Sequence, residues 1–159
     1  MKVFIAHQRG DSGSASSVSS RLKIQHGIDT YLDVIDPYAS QTGDELGEYV
    51  RRRLDECTQL MAVVSPSTKE SWWVPWEIGL ATEKDYPIAT YAAEHCTLPT
   101  YLKKWPYLES MEDLDTYARE ARRASQELER LVKSYGERAA RARTTAAFHS
   151  ALRKALRQG

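Results

Sequence analysis

Residues 71–80, Ser-Trp-Trp-Val-Pro-Trp-Glu-Ile-Gly-Leu, place three tryptophans around one acidic side chain. On a helix, Trp73 and Glu77 are four residues apart and share a face, as do Trp72 and Trp76. A carboxylate beside an indole, near a helix start, is an unusual group to bury for stability alone. This segment is therefore the first candidate for chemistry, with Glu77 expected to be a partly exposed site carboxylate.

A carboxylate next to an aromatic ring suits the cleavage of an N-glycosidic bond. As that bond breaks, positive charge develops on the ribose, and a fixed carboxylate stabilises this charge and accepts hydrogen bonds from the ribose hydroxyls. A leaving group such as nicotinamide departs as a neutral molecule, so no second acid is required. An aromatic wall would hold flat rings by stacking. The residues alone leave an alternative equally open, in which the tryptophans are core and Glu77 only complements the helix dipole.

Short apolar strands and helical segments alternate over the first two thirds of the chain. The predicted strands cover residues 2–6, 28–35, 60–64 and 87–92, and residues 98–108 hold either a short edge strand or an ordered loop. Such alternation is typical of a doubly wound parallel sheet wrapped by helices. We therefore predict an α/β, flavodoxin-like fold: a parallel sheet of four to five strands with helices on both faces, plus C-terminal helices.

The helices that lie between these strands have recognisable ends. His26-Gly27 stops the first helix, and Thr42 or Asp44 can cap the second. Pro75 predicts that the third helix begins near Trp72 and runs to about residue 84, because proline is tolerated in the first turn.

Ligands of doubly wound sheets bind outside the carboxyl ends of the strands. Three polar segments emerge there in this sequence, after Ala6, after Ile35 and after Val64. We expect any site to draw on these segments together with the start of the helix that carries Glu77.

The last third of the chain is basic and helical. Residues 119–159 hold eleven Arg and Lys against four Glu, a net charge of +7, and because the whole chain is neutral, residues 1–118 carry −7. Helices are predicted over residues 112–135 and 139–158, with Gly136 as the break. Leu128, Leu131, Val132 and Tyr135 give the first of them an apolar stripe. We expect residues 1–118 to form the α/β domain and residues 119–159 to pack on it.

Charge of this kind can mark a nucleic-acid or membrane contact, but no aromatic residues interleave with the arginines as a single-strand binder needs. We expect no nucleic acid and no membrane as partner. No run of 18 apolar residues exists, and the N-terminus turns polar too early for a signal peptide, so we expect a cytoplasmic protein. Cys57 and Cys96 form no disulfide framework or zinc site by themselves, the histidines show no metal spacing, and no metal site is predicted.

The stretch from Lys2 to about Ala92 resembles a TIR (Toll/interleukin-receptor) domain. Residues 3–7 are similar to the first strand of that family, and residues 31–43 to its second strand and the following BB loop. Residues 60–66 match the third strand with its Ser-Pro exit, and residues 73–78 fit the pattern Trp-Val-x-x-Glu-Ile. All four pieces occur in order and at sensible spacing.

The resemblance implies roles for individual residues. Glu77 corresponds to the catalytic glutamate of NAD-cleaving members, and Trp73 to the ring beside the substrate. His7 stands where enzymatic members often carry an aromatic residue that stacks on a base, and Arg9 is suited to a pyrophosphate. Asp33 lies at the end of the second strand, near the pocket mouth.

One departure concerns the residue after His7. The family often has Tyr or Phe followed directly by Arg, whereas this chain has His7-Gln8. The polar contact of that Arg would then come from Gln8 or Arg9, which bears on how the substrate is oriented more than on catalysis.

The resemblance also implies an activity: cleavage of NAD to nicotinamide and an ADP-ribose-derived signal, as in NAD glycohydrolases and ADP-ribosyl cyclases, with NAD as substrate and no resident cofactor. Similarity to stand-alone bacterial members suggests a role in antiphage defence, with a separate effector protein that responds to the product. Self-association is expected through the loop of residues 36–43. Two alternatives stay open: a non-catalytic TIR scaffold that acts by homotypic contacts, and a nucleoside deoxyribosyltransferase-like N-glycosidase.

Overall fold

The structure, a computed structural model, describes residues 1–32, 43–92 and 96–159. Within them, five strands form one sheet in the order β2-β1-β3-β4-β5, and every neighbouring pair is parallel. The strands are β1 (Lys2–Ala6), β2 (Asp29–Leu32), β3 (Gln59–Val64), β4 (Ile88–Ala92) and β5 (Tyr107–Leu108). The predicted α/β, flavodoxin-like fold is confirmed, with five strands.

Five α-helices accompany the sheet in these residues: α1 (Ser12–His26), α2 (Gly43–Asp55), α3 (Trp73–Glu83), α4 (Asp113–Tyr135) and α5 (Glu137–Ala155). Short 3₁₀ helices cover Arg9–Asp11, Pro66–Glu70 and Thr100–Lys104, so residues 98–108 hold both an ordered loop and an edge strand. Gly27 ends α1 in the left-handed conformation, with φ of 60°, and its N–H donates to the Lys23 carbonyl at 2.9 Å. Only glycine adopts this conformation without steric cost, which is why the helix stops there.

Both faces of the sheet are covered, because successive side chains of a strand point to opposite sides. Val3 and Ile5 join a buried cluster with residues of α1, α4 and α5. Phe4 and Ala6 join a second cluster with residues of α2 and α3. All six residues of β3 are buried, as expected for a central strand of a doubly wound sheet.

The C-terminal helices belong to the first of these clusters. The buried apolar side chains of α4 lie in its first half: Leu114, Tyr117, Ala118, Ala121 and Ala124. Those of α5 include Phe148 and Leu152. Backbone groups bind α5 as well, since the Ile88 N–H donates to His149 Nε2 at 3.1 Å and Thr145 Oγ1 donates to the Asp85 carbonyl at 2.6 Å.

The apolar stripe predicted for α4 is not its buried face. Val132 is 37% exposed and Tyr135 is 53% exposed, and Leu128 and Leu131 are only half-buried. The reason is length: 23 residues of helix span about 35 Å, whereas a five-residue strand spans roughly 17 Å. The second half of α4 therefore has no sheet beneath it.

None of the helices in the described ranges has both the length and the apolar character needed to cross a membrane. The division of the chain at residue 118 stays a prediction.

Candidate active site at the carboxyl ends of the strands

The helix α3 brings the candidate carboxylate to the sheet. It begins at Trp73, one residue after the predicted start, with Pro75 in its first turn as expected. Just before it, Ser71 Oγ accepts a hydrogen bond from the Val74 N–H at 3.4 Å. The side chain of Ser71 thus satisfies one of the amide groups that a helix start leaves without an intrahelical partner.

Glu77 is completely buried, with 0% of the residue exposed, so the expectation of a partly exposed carboxylate is wrong. Trp73, Val74, Ile78 and Ala81 are buried on the same helix. Because α3 is apolar on most of its circumference, it is buried between the sheet and the neighbouring elements, and Glu77 is buried with it.

The tryptophan rings contact one another in a row: Trp72 contacts Trp73, and Trp73 contacts Trp76. The rings of Trp72 and Trp73 meet edge to face, with centroids 5.1 Å apart and an interplanar angle of 88°. Trp73 and Trp76 lie 4.9 Å apart at 32°. Trp73 is consequently only 8% exposed, whereas Trp72 is 74% exposed. The sequence paired Trp72 with Trp76, but Trp72 precedes the helix, so its ring contacts Trp73 instead.

The residues after β1 divide into buried and exposed ones. His7 is 4% exposed, and its Nδ1 lies 3.2 Å from the Ile5 carbonyl oxygen. Arg9 is exposed and starts a 3₁₀ turn. The Gln8 amide donates to Ser67 Oγ at 2.5 Å and to Ser65 Oγ at 3.4 Å, so it bridges to the segment after β3.

A second tie between these two segments was missed by sequence reasoning. Thr68 Oγ1 donates to Asp11 Oδ2 at 3.1 Å, and the Ser65 N–H donates to the same Thr68 oxygen at 2.8 Å. Thr68 and Asp11 are both buried. The signal available in the sequence was Ser65-Pro66-Ser67-Thr68, which is typical of a capped helix start with proline in its first position.

These ties lie at the topological switch point of the sheet, because β1 has β2 on one side and β3 on the other. Crevices of doubly wound sheets open at such points. Trp73 and Glu77 follow the loop after β3. The structure therefore brings the first turns of α3 together with the segments after β1 and β3, at the carboxyl ends of the strands. Asp33 and residues 36–42 of the expected contact loop lie outside the described residues.

A cavity of about 560 Å³ lies elsewhere, at the amino ends of the strands, where α2 and α3 end and α5 begins. Four of the charged residues that line it form ion pairs: Lys84 with Asp55, and Arg141 with Glu137 at 2.9 Å. Across residues 1–32, 43–92 and 96–159, no group of three or more His, Cys, Asp or Glu is arranged to hold a metal ion.

A family model described as "TIR domain" matches residues 3–132. That range runs from β1 into α4 and includes all the residues of the candidate site. No curated protein matches the chain.

Proposed function

The chain belongs to the TIR domain family, and from this premise we propose that it cleaves the nicotinamide–ribose bond of NAD, with Glu77 as the catalytic carboxylate. The products are nicotinamide and an ADP-ribose-derived nucleotide. One observation carries the proposal: a carboxylate is held completely buried on α3, beside Trp73, at the ligand-binding edge of the sheet.

The position of Glu77 on its helix supports a catalytic role over a structural one. It is the fifth residue of α3, and the attraction between a carboxylate and a helix N-terminus falls off within the first turn. An acidic residue kept for the helix dipole alone would lie nearer the start and in water. The helix dipole therefore does not account for an acidic residue at this position.

Burial also suits the chemistry. Charge–charge interactions are stronger where water is excluded, so a fixed carboxylate in this environment stabilises the positive charge that develops on the ribose more than an exposed one would. The free energy needed to exclude water from the carboxylate is offset by its attraction to the positive charge of the transition state.

The other site residues take supporting roles in this proposal. Arg9 is exposed at the end of β1 and is assigned to the pyrophosphate. Trp73 forms the wall beside Glu77. His7 is too buried to offer a ring face, so its proposed contact with a base needs its surroundings to shift. Asp33 keeps its proposed place at the pocket mouth.

Self-association is the proposed trigger. Because Glu77 has no exposed surface, a substrate reaches it only after the groups around it move. We assign that movement to assembly of copies through residues 36–43 and a neighbouring helix. The product then serves as a signal, in antiphage defence, for a separate effector protein.

The direct test compares Glu77→Gln with the wild type at high protein concentration, with nicotinamide release measured by chromatography. Gln keeps the size of the side chain and removes its charge, so we expect turnover to be lost while the fold, followed by circular dichroism and thermal unfolding, stays intact. Glu83→Gln is the matched control, since Glu83 is exposed at the other end of the same helix, and it should retain full activity.

NAD turnover, self-association and cleavage of deoxynucleosides, all measured on the same proteins, separate the alternatives. Equal turnover by wild type and Glu77→Gln would remove Glu77 from the mechanism. A wild type that leaves NAD intact at every concentration but still self-associates would be a scaffold module. Cleavage of deoxynucleosides in place of NAD would indicate the deoxyribosyltransferase-like reaction.

A further inference from the structure

Trp72 is the most exposed aromatic side chain among the described residues, although it stands beside the candidate site. The other rings expected to meet substrate are covered, since His7 and Trp73 are both buried. A flat ligand that approaches this edge of the sheet therefore finds the ring of Trp72 first.

The ring of Trp72 is exposed but held in place. Its edge-to-face contact with Trp73 fixes one side, and Trp73 is in turn backed by Trp76. The backbone of Trp72 is helical, with φ of −87° and ψ of −17°, directly before α3. An aromatic side chain anchored in this way loses little conformational entropy when a ligand stacks on it.

The surroundings of Trp72 favour a small flat ligand over a protein. Protein-binding surfaces are contiguous apolar patches of several hundred Å². Shortly before Trp72 in the chain, Pro66 and Ser67 are exposed and Ser71 is half-buried, and all three are small residues. The other exposed large apolar residues described lie on other elements: Ile24 on α1, Val132 and Tyr135 on α4, Tyr101 in the 3₁₀ helix Thr100–Lys104, and Met1 before β1.

We propose that Trp72 is a stacking platform for a purine base, the adenine of the nucleotide whose other end reaches Glu77. This assignment rests on the proposed NAD cleavage for the identity of the nucleotide. Trp72 contacts Trp73, and Trp73 lies one helical turn before Glu77, so the platform is next to the reacting end without enclosing it. Indole rings stack on bases without needing specific hydrogen bonds.

The test measures binding as well as turnover. Affinities for AMP and ADP-ribose are measured by calorimetry for the wild type, Trp72→Ala, Trp72→Leu and Trp72→Phe. Loss of one stacked base weakens binding by 1–3 kcal/mol, so Ala and Leu should lower both affinities roughly 5- to 150-fold. Phe, which keeps a flat face, should restore much of the loss. KM for NAD should rise in parallel, whereas nicotinamide mononucleotide, which has no adenine, should be cleaved equally by all four proteins.

Tyr135→Ala is the matched control, because it removes an exposed aromatic ring at the far end of α4 and should leave nucleotide affinity unchanged. Equal AMP affinity in wild type, Trp72→Ala and Trp72→Leu overturns the platform, as does a wild type that binds neither AMP nor ADP-ribose. A change in sedimentation with unchanged nucleotide affinity also overturns it and makes Trp72 a protein contact. Trp72-dependent AMP binding by a protein that leaves NAD intact supports the platform and rejects the proposed function.

Discussion

The burial of a side chain at the candidate site decides whether its substitution measures loss of activity alone or loss of folding as well. Trp73 is buried against Trp76, and removing such a ring from a core typically costs 3–5 kcal/mol, a large part of the stability of a small domain. A loss of activity in Trp73→Ala would therefore mix loss of a substrate contact with loss of folding. Conservative changes that keep volume, such as Glu77→Gln, separate the two effects.

A half-buried histidine gives a second prediction at this scale. Burial lowers the pKa of His149 from 6.5 to about 4, and the positive charge of Arg153 acts in the same direction. As pH falls below 6.5, the unfolded chain binds a proton that the folded chain does not, so stability declines and levels off near pH 4. With allowance for solvent screening, the loss is on the order of 2 kcal/mol.

The comparison is His149→Gln, whose side-chain oxygen can accept the same Ile88 N–H but does not titrate. Urea unfolding from pH 7 to pH 4 should show a smaller decline for the variant than for the wild type. Parallel declines in the two proteins would mean that His149 is protonated in the folded state like a histidine in water.

At the scale of elements, the C-terminal helices are bound to the rest of the fold by side chains and by charge. Asp115 of α4 accepts hydrogen bonds from Arg21 Nη2 at 2.9 Å and from His26 Nε2 at 2.7 Å, both on α1. The bond from Arg21, with that from His26, lowers the pKa of Asp115 to about 2. At the far end, the Tyr107 N–H of β5 donates to Gln158 Oε1 at 3.2 Å.

We predict that the chain does not fold stably when it is cut after Ala118. The cut removes Ala121, Ala124, Phe148 and Leu152 from the buried cluster and leaves one face of the sheet open to water. The truncated protein should be insoluble or unfold without a cooperative transition, as followed by solubility and circular dichroism.

A point variant makes the same test within a soluble protein. Phe148→Ala should destabilise the full chain by about 3–5 kcal/mol, whereas Tyr135→Ala, which removes an exposed ring and its contact with Arg143, should cost no more than about 1 kcal/mol. A stable, soluble truncation would show that the tail covers a surface the core does not need.

At the scale of the whole molecule, opposite charges are separated along the chain, −7 before residue 119 and +7 after it. Ten ion pairs occur among the described residues, and each lies either within residues 1–118 or between near neighbours of residues 119–159. The tail contacts the rest of the fold by hydrogen bonds and apolar burial instead: Arg153 Nη2 donates to the Lys104 carbonyl at 2.7 Å, and Phe148 and Leu152 belong to the buried cluster. These contacts favour a tail that completes the domain over a nucleic-acid-binding arm.

We predict that NAD turnover depends on self-association, because Glu77 is enclosed within a single copy. Specific activity should fall on dilution, in step with the loss of oligomer measured by light scattering. Adding Glu77→Gln protein, which is inactive but assembles, should raise the specific activity of dilute wild type. Flat specific activity over a wide dilution range, from a monomer, would contradict the dependence.

Local pattern was enough to predict most of the elements. The breaks at Gly27 and Gly136 depend on single glycines with positive φ, and the start of α3 depends on Pro75, all of which act within one helical turn. The order and parallel pairing of the strands followed from their alternation with helices, because few connections are possible for such a chain. Glu77 and Trp73 could be placed on one helix because their spacing of four residues is also a local pattern.

Contacts between distant residues decided the rest. Gln8 meets Ser67, and Asp11 meets Thr68, across more than fifty residues of chain, and no local spacing encodes such a meeting. Whether Glu77 is exposed depends on what packs over α3, and which half of α4 is buried depends on where the sheet ends beneath it. Burial is a property of the assembled layers, so these features exist only once the sheet and its helices have come together.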